Sequence, residues 1–354
     1  MGRQAKAGRC LESLLRMAIP TLKAAERECP RQGRGAKPTI GEWLMAALIM
    51  LAVLNKKKSK SAQYRFLCEQ RIEIARWLGD DRFPSRPTYF RRYRKAHRFW
   101  GKAIQLQGQR AIAEGVTDPT DVAVDKSLIV GKGAAWHKRD RQAGKIPAGV
   151  DCDCTWGYSE HDGWVHGYSY EVVVSATPGH TVFPLLASVD TASASETRTF
   201  ADKIDDLPAG TQTASADSGY DMNEYGERIE YDEQGRRTGR RFLCPENPRN
   251  TKGRKLKAAA SVKQARSRER RRQRRAFLRS RRGRRIYARR KKTVEPFNQW
   301  LKSLFELDER VWHRGLDNNR THLFAAMFTY QLLVRYNHRR GNQNGCVRWI
   351  LDAL

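Results

Sequence analysis

The sequence predicts an α/β fold whose first third is helical. Three observations predict it. Apolar residues recur at helical spacing up to about residue 118, short β-branched runs begin at Asp121, and helical spacing returns after Thr293. With 40% hydrophobic residues in 354, a core can be built, which excludes a disordered polycation.

Leu11, Leu14, Leu15, Ala18 and Leu22 place a first helix, which Pro20 should end or kink. Residues 30–38, with Gly33 and Gly35, read as a loop. Thr39 and Glu42 have capping-box spacing and open an apolar helix through Leu54. Another helix is expected over residues 61–78. After a break at 84–87, Thr88 caps a helix holding Tyr89, Phe90, Tyr93, His97 and Trp100, with Arg91, Arg92, Arg94 and Lys95 beside them. That helix reads equally as a recognition helix or as a packed helix with a charged face.

The pattern changes at Asp121. Val122-Ala123-Val124 and Leu128-Ile129-Val130 flank Asp125, and residues 168–174 form the strongest strand. Residues 181–189 follow, with Pro184 demoting part of them to an edge or bulge. Ser193 and Glu196 form a second capping-box pair, before a helix holding Phe200, Ile204 and Leu207. A short strand over 211–216 ends at Asp217-Ser218-Gly219. Residues 221–292 look like an insertion, with one candidate strand at 241–245. Two amphipathic helices are expected beyond Thr293, over 294–307 and 321–336.

The net charge is +30 and the pI about 10.3. Between residues 249 and 292, 22 Lys/Arg stand against one acid, Glu269. A field so concentrated calls for a polyanion, bound with strong salt dependence. Charge does not separate DNA from RNA. No apolar run reaches about 18 residues, which excludes a spanning helix, and no signal peptide is expected. Seven cysteines, an odd number, suggest reduced thiols and a cytosolic setting. Cys152-x-Cys154 lacks the two-residue spacer of common zinc sites. Neither a Walker loop nor a dinucleotide fingerprint occurs. His161 and His166 read as surface or packing residues.

Three carboxylates stand out. Asp125 lies in the first strand, Asp217 ends the later one, and Glu295 opens an amphipathic helix. Carboxylate oxygens suit hard divalent cations, which commonly run phosphodiester chemistry in pairs. Asp121, Asp221 and Glu306 fit the same description, and caps or surface charge account for most acids.

Around these residues the sequence reads Val122-Ala123-Val124-Asp125-Lys126-Ser127, Lys132-Gly133, Trp136-His137-Lys138, Trp156-Gly157-Tyr158 and Gly163-Trp164-Val165-His166-Gly167-Tyr168. Ala216-Asp217-Ser218-Gly219-Tyr220 and Val294-Glu295-Pro296-Phe297-x-x-Trp300-Leu301-Lys302 follow in order. Over residues 121–340 the chain resembles the DDE transposases of bacterial insertion sequences. The resemblance implies a ribonuclease H-like mixed β-sheet flanked by helices. It also implies a helical DNA-binding and dimerisation region (1–118), the first part of the catalytic domain (119–220), a basic insertion (221–292), and the catalytic and C-terminal helices (293–354).

By this resemblance Asp125, Asp217 and Glu295 are catalytic and bind two Mg²⁺ ions, with Mn²⁺ as a substitute. The activity implied is cutting and joining of double-stranded DNA at element ends and target. A homodimer on DNA, in the bacterial cytoplasm and associated with the nucleoid, is expected, with no membrane partner. DNA contacts are expected from Lys302, Lys291, Arg290, Lys292, Tyr220, Gln299, Arg285 and Arg94. The family's signature has Tyr, Arg, Glu and Lys. Glu295 and Lys302 match it. Lys291 stands where the Arg is expected, and Tyr287 is one residue too early.

Helical spacing puts Glu295, Gln299 and Lys302 on one face and Phe297, Trp300, Leu301 and Leu304 on the other. Pro296 sets the expected helix start near Thr293. Trp164 and Tyr220 are candidates to stack on DNA bases; either reads equally as a core aromatic, and the core is favoured for Trp164. The rivals are a non-catalytic DNA-binding protein derived from a transposase, an RNA-binding protein, and a nuclease without the joining step.

Overall fold

The protein is described by a computed structural model covering residues 2–29, 38–251, 261–343 and 345–354. Helices α1 (Gly2–Glu28), α2 (Glu42–Leu54), α3 (Lys60–Glu69), α4 (Arg71–Leu78), α5 (Arg86–Lys95) and α6 (His97–Ala113) come first. Then come β1 (Asp121–Val130), α7 (Lys138–Gln142), β2 (Thr155–Ser159), β3 (Gly163–Ser175), β4 (Pro184–Thr191), α8 (Glu196–Ala201) and β5 (Thr213–Ser215). A 3₁₀ turn (Ser218–Tyr220) leads to α9 (Asn223–Glu230), β6 (Arg241–Leu243) and α10 (Pro248–Thr251). The chain ends in α11 (Val262–Arg279), α12 (Arg281–Tyr287), α13 (Arg289–Leu304), α14 (Leu316–Arg339) and α15 (Arg348–Leu351).

The strands form one mixed sheet in the order β2-β3-β1-β5-β6, with β4 also paired to β3. β1 and β3 are antiparallel, and β1, β5 and β6 run parallel. This α/β arrangement is consistent with the ribonuclease H-like expectation. Asp125 lies opposite Val172, and Ser127 opposite Tyr170. Pro184 opens β4 where the register shifts at Val173/Val174, as its missing amide requires. β6 extends the sheet beside β5, so part of the stretch read as an insertion is sheet.

One hydrophobic core runs from Leu14, Leu48 and Trp100 through Val124 and Val173 to Phe297 and Phe328. The N-terminal helices therefore share a core with the sheet. At its centre is α14, buried at nearly every position from Asn319 to Asn337. The sequence suggested an amphipathic helix. Some of its polar groups find partners inside: the Gln331 amide donates to the Ile104 and Pro184 carbonyls, and Thr321 donates to the Tyr93 carbonyl, while neither ring nitrogen of His322 has a hydrogen-bond partner among the described residues.

Other local expectations are corrected. α1 continues through Pro20, which faces solvent, while Leu14, Leu15, Ala18 and Leu22 bury the opposite side. Gly41, not Thr39, precedes α2. Residues 61–78 split at Gln70 into α3 and α4. Ser85, not Thr88, precedes α5, and the helix breaks at Ala96 before Trp100. Tyr89 and Tyr93 are buried, while Arg91, Arg94 and Lys95 are exposed. Ser195 precedes α8, so Glu196 is its first residue and cannot close a capping box with Ser193. Trp164 is 67% exposed and meets Tyr158 edge-on at the β2–β3 hairpin. The loop reading at 30–37 and the basic residues 252–260 lie outside the described residues.

Candidate active site

β1, the turn after β5, and α13 meet at one end of the sheet. α13 is fixed there by a stripe of buried residues, Val294, Phe297, Leu301 and Leu304, packed toward β1 and β3. Burying each of these is worth ~2 kcal/mol, so the stripe sets the helix's rotation. That rotation turns Asn298 toward the sheet. Its side-chain amide donates to Asp125 Oδ2 (2.9 Å), and its main-chain carbonyl accepts from the Tyr170 hydroxyl (3.3 Å).

The helix begins at Arg289, four residues before the expected Thr293. Thr293 lies inside it and donates to the Arg289 and Arg290 carbonyls. Pro296 is exposed, so the carbonyl it leaves unpaired can be solvated. The early start gives Arg290 a helical position from which it reaches back to the carboxylates. Trp300, expected in the core, is 41% exposed because the buried stripe passes beside it.

Arg290 joins the three predicted acids. Its Nη2 lies 3.0 Å from Asp125 Oδ1 and 3.4 Å from Asp217 Oδ2, and its Nη1 lies 3.3 Å from Glu295 Oε1. Asp217 precedes the 3₁₀ turn and accepts from the Gly219 amide at 2.8 Å. Burial pushes the Asp125 carboxyl up to about 7; Arg290 opposes the rise, and Asp217, Glu196 and Glu295 add to it. Burial works against the charge on Arg290, but Asp125 and Asp217 outweigh it, so the guanidinium holds its proton more firmly than usual.

The donor set fits a hard divalent cation: carboxylate oxygens from three elements converge on one positive group. Arg290 now stands in that central place. Among the described residues, no three His, Cys, Asp or Glu side chains are already drawn together as a cage.

The remaining predicted residues divide. Tyr220, expected to stack on DNA, is fully buried; its hydroxyl donates to Glu171 (2.9 Å), because the turn directs the ring inward onto Phe200. Arg290 is buried among acids rather than facing solvent. Lys302 is half-buried; burial lowers its ammonium below the usual range, while Asp162, Asp308 and Asp125 oppose that. Gln299, Lys291 and Lys292 are exposed on α13, Arg285 on α12 and Arg94 on α5.

Part of the basic run is paired with acids. Arg270 and Arg274 of α11 pair with Glu227 (2.7 and 3.4 Å), Arg271 with Asp221 (2.7 Å) and Arg275 with Glu246 (2.9 Å).

Sequence reasoning missed Asn298 and Glu196. It placed Arg290 on DNA and, with Lys291 and Arg289, among the cations that could cover the charge of the signature's Arg; Tyr287 and Arg290 keep the spacing of the family's Tyr and Arg, shifted one residue from Glu295. That shift was the available signal.

A family model described as Transposase DDE domain matches residues 115–332. The chain belongs to the DDE transposase family. Comparison with curated proteins and with solved structures gives no significant match. The matched segment runs from just before β1 into α14 and contains all three acids and Arg290. No helix among the described residues is long and apolar enough to cross a membrane.

Proposed function

We propose that this transposase cuts DNA at the ends of an insertion sequence and joins them to a target, using Asp125, Asp217 and Glu295. The observation that carries the reading is the meeting of three carboxylates, from a strand, a turn and a helix, on the single guanidinium of Arg290. Two Mg²⁺ ions, or Mn²⁺ in their place, would supply activation of the attacking oxygen and stabilisation of the leaving 3′-oxygen.

The chain's own residues do the rest. Asn298 orients Asp125 through its amide, and the Gly219 amide orients Asp217. Arg290 holds the three acids in register while no other cation does. Once released from them, it is placed to neutralise a DNA phosphate. Lys302, seven residues beyond Glu295, adds positive charge on the same helix. Exposed Arg285, Lys291 and Lys292 track the duplex backbone, and Arg94 extends that surface on α5. Bringing two ends together calls for a homodimer on DNA. The ribonuclease H-like arrangement supports this reading, because it sets Asp125 on β1 and Asp217 in the turn just beyond the adjacent parallel strand β5.

The test is Mg²⁺-dependent cleavage of supercoiled DNA carrying the element's ends, with wild type beside Asp217→Asn. Cleavage by wild type alone, with equal DNA binding, supports the reading. Binding without cleavage by either protein, in Mg²⁺ or Mn²⁺, moves it to a non-catalytic DNA-binding protein. The absence of a ready-made cage among the described residues is the observation on that rival's side.

A further inference from the structure

We propose that Glu196 is a fourth carboxylate of this site, set against the Asp217 turn by Gly219, and that it serves as a positioning residue for cation binding. The proposal rests on the carboxylate reading above.

Glu196 opens α8, directly after the loop that leaves β4. The bland role for a glutamate there is helix capping. That role is closed: Glu196 is the first helical residue rather than the third, and α8 has only six residues. Its carboxylate instead lies over the turn that carries Asp217. A Cβ on Gly219 would overlap Glu196 Oε2 and stand 3.0 Å from Asp217 Oδ1. The two oxygens therefore flank the same glycine, and only a residue without a side chain lets Glu196 come so close. The φ of Gly219 is not positive, so close approach, not backbone freedom, requires glycine here.

Among the described residues, no hydrogen bond or ion pair is made by the Glu196 carboxylate. The neighbouring acid Glu171 shows what a satisfied carboxylate looks like in this part of the fold. It takes Lys203 at 2.6 Å, Thr199 at 2.7 Å and Tyr220 at 2.9 Å. Lys126 is a cation that acts on Glu196, but its ammonium is given to the carbonyls of Ala192 and Ala194. Those bonds pin the loop that delivers Glu196.

Charge counting favours the same conclusion. Asp125, Asp217, Glu295 and Glu196 present four carboxylates, against Arg290 and a Lys126 already engaged. A site with that excess of acid is built for added positive charge.

The experiment is a Mn²⁺ titration of the full chain without DNA, followed by electron paramagnetic resonance and calorimetry. Wild type is compared with Glu196→Gln, Glu196→Asp and Asp217→Asn. We expect Glu196→Gln to weaken Mn²⁺ binding roughly tenfold or more, the range for groups that orient metal ligands. Its metal-free melting temperature should be equal or higher, and Glu196→Asp should recover part of the affinity. Gly219→Ala is the second variant: its methyl displaces the Glu196 carboxylate and should weaken Mn²⁺ binding while leaving the glutamate in place. Wild-type Mn²⁺ affinity in both Glu196→Gln and Gly219→Ala, with Asp217→Asn impaired, overturns the proposal and leaves the three-acid reading standing. No Mn²⁺ binding by wild type overturns both.

Discussion

Arg335 and Arg290 are both buried arginines facing acids, and they differ in how completely they are satisfied. Arg335, on α14, gives its Nε and Nη2 to the two oxygens of Glu114 and its Nη1 to Gln107 (2.9 Å). Gln107 in turn accepts from Thr21. Every guanidinium nitrogen has a partner, although the Gln107 Nε2 has none among the described residues, and the network ties α1, α6 and α14 together. Arg290 spreads two nitrogens across three carboxylates, and its Nε has no partner among the described residues. A closed network specifies a fold. An open one, with acid in excess, is where a ligand is expected to complete the set.

The sharpest way to break this contrast is at the acids themselves. Asp217→Asn should lower cleavage by about 10³-fold or more, as loss of a group that stabilises transition-state charge does. Arg335→Met should change cleavage only through the fraction folded. Equal losses of specific activity per folded molecule would erase the distinction.

The two regions should also respond to pH with opposite sign. The Asp125 carboxyl sits at about 7 when folded, above its unfolded value. The folded state then binds the extra proton, so stability in the absence of metal falls as pH rises from about 4 to about 7, by up to roughly 4 kcal/mol. Burial alone would raise the Glu114 carboxyl, but Arg335 and Arg339 hold it below the usual range. Its contribution is present above the unfolded value and is lost as pH falls through the folded one. Urea unfolding across pH in wild type and Asp125→Asn reads this directly. A slope between pH 4 and 7 that survives the substitution would assign it elsewhere.

Next in size is the structural arginine. Arg335→Met leaves Glu114 with Arg339 alone and Gln107 with Thr21 alone, and should cost about 3 kcal/mol. A cost under about 1 kcal/mol by urea unfolding would mean that the network is dispensable.

What could be read from the sequence follows the range of the interactions. Asp125 was legible because β-branched residues flank it within one strand, and Glu295 to Lys302 because helical spacing is local. Glu196 was not, because its meeting with Gly219 joins the end of one connection to the turn after β5. The burial of α14 on all sides was not either. It comes from α1, α2, α5 and α6 closing around a helix more than 200 residues away in sequence. Trp164 was misplaced because a β-hairpin rim and a core strand share one alternation, and only pairing tells them apart.

The basic run repeats the contrast between closed and open charge on a smaller scale. Arg274 is nearly buried and reaches Glu227, Glu230 and Asn223, so it holds α11 onto α9. Arg285 is exposed on α12 and has no partner among the described residues. If the outward cations track phosphates, Arg285→Ala should reduce the slope of log binding constant against log salt by about 1, for every DNA sequence alike. Arg274→Ala should leave that slope unchanged and lower the melting temperature instead. A salt titration of both variants on one duplex decides it. If Arg274→Ala lowers the slope as much as Arg285→Ala, its acidic partners give way to DNA, and the closed side of the helix opens when DNA binds.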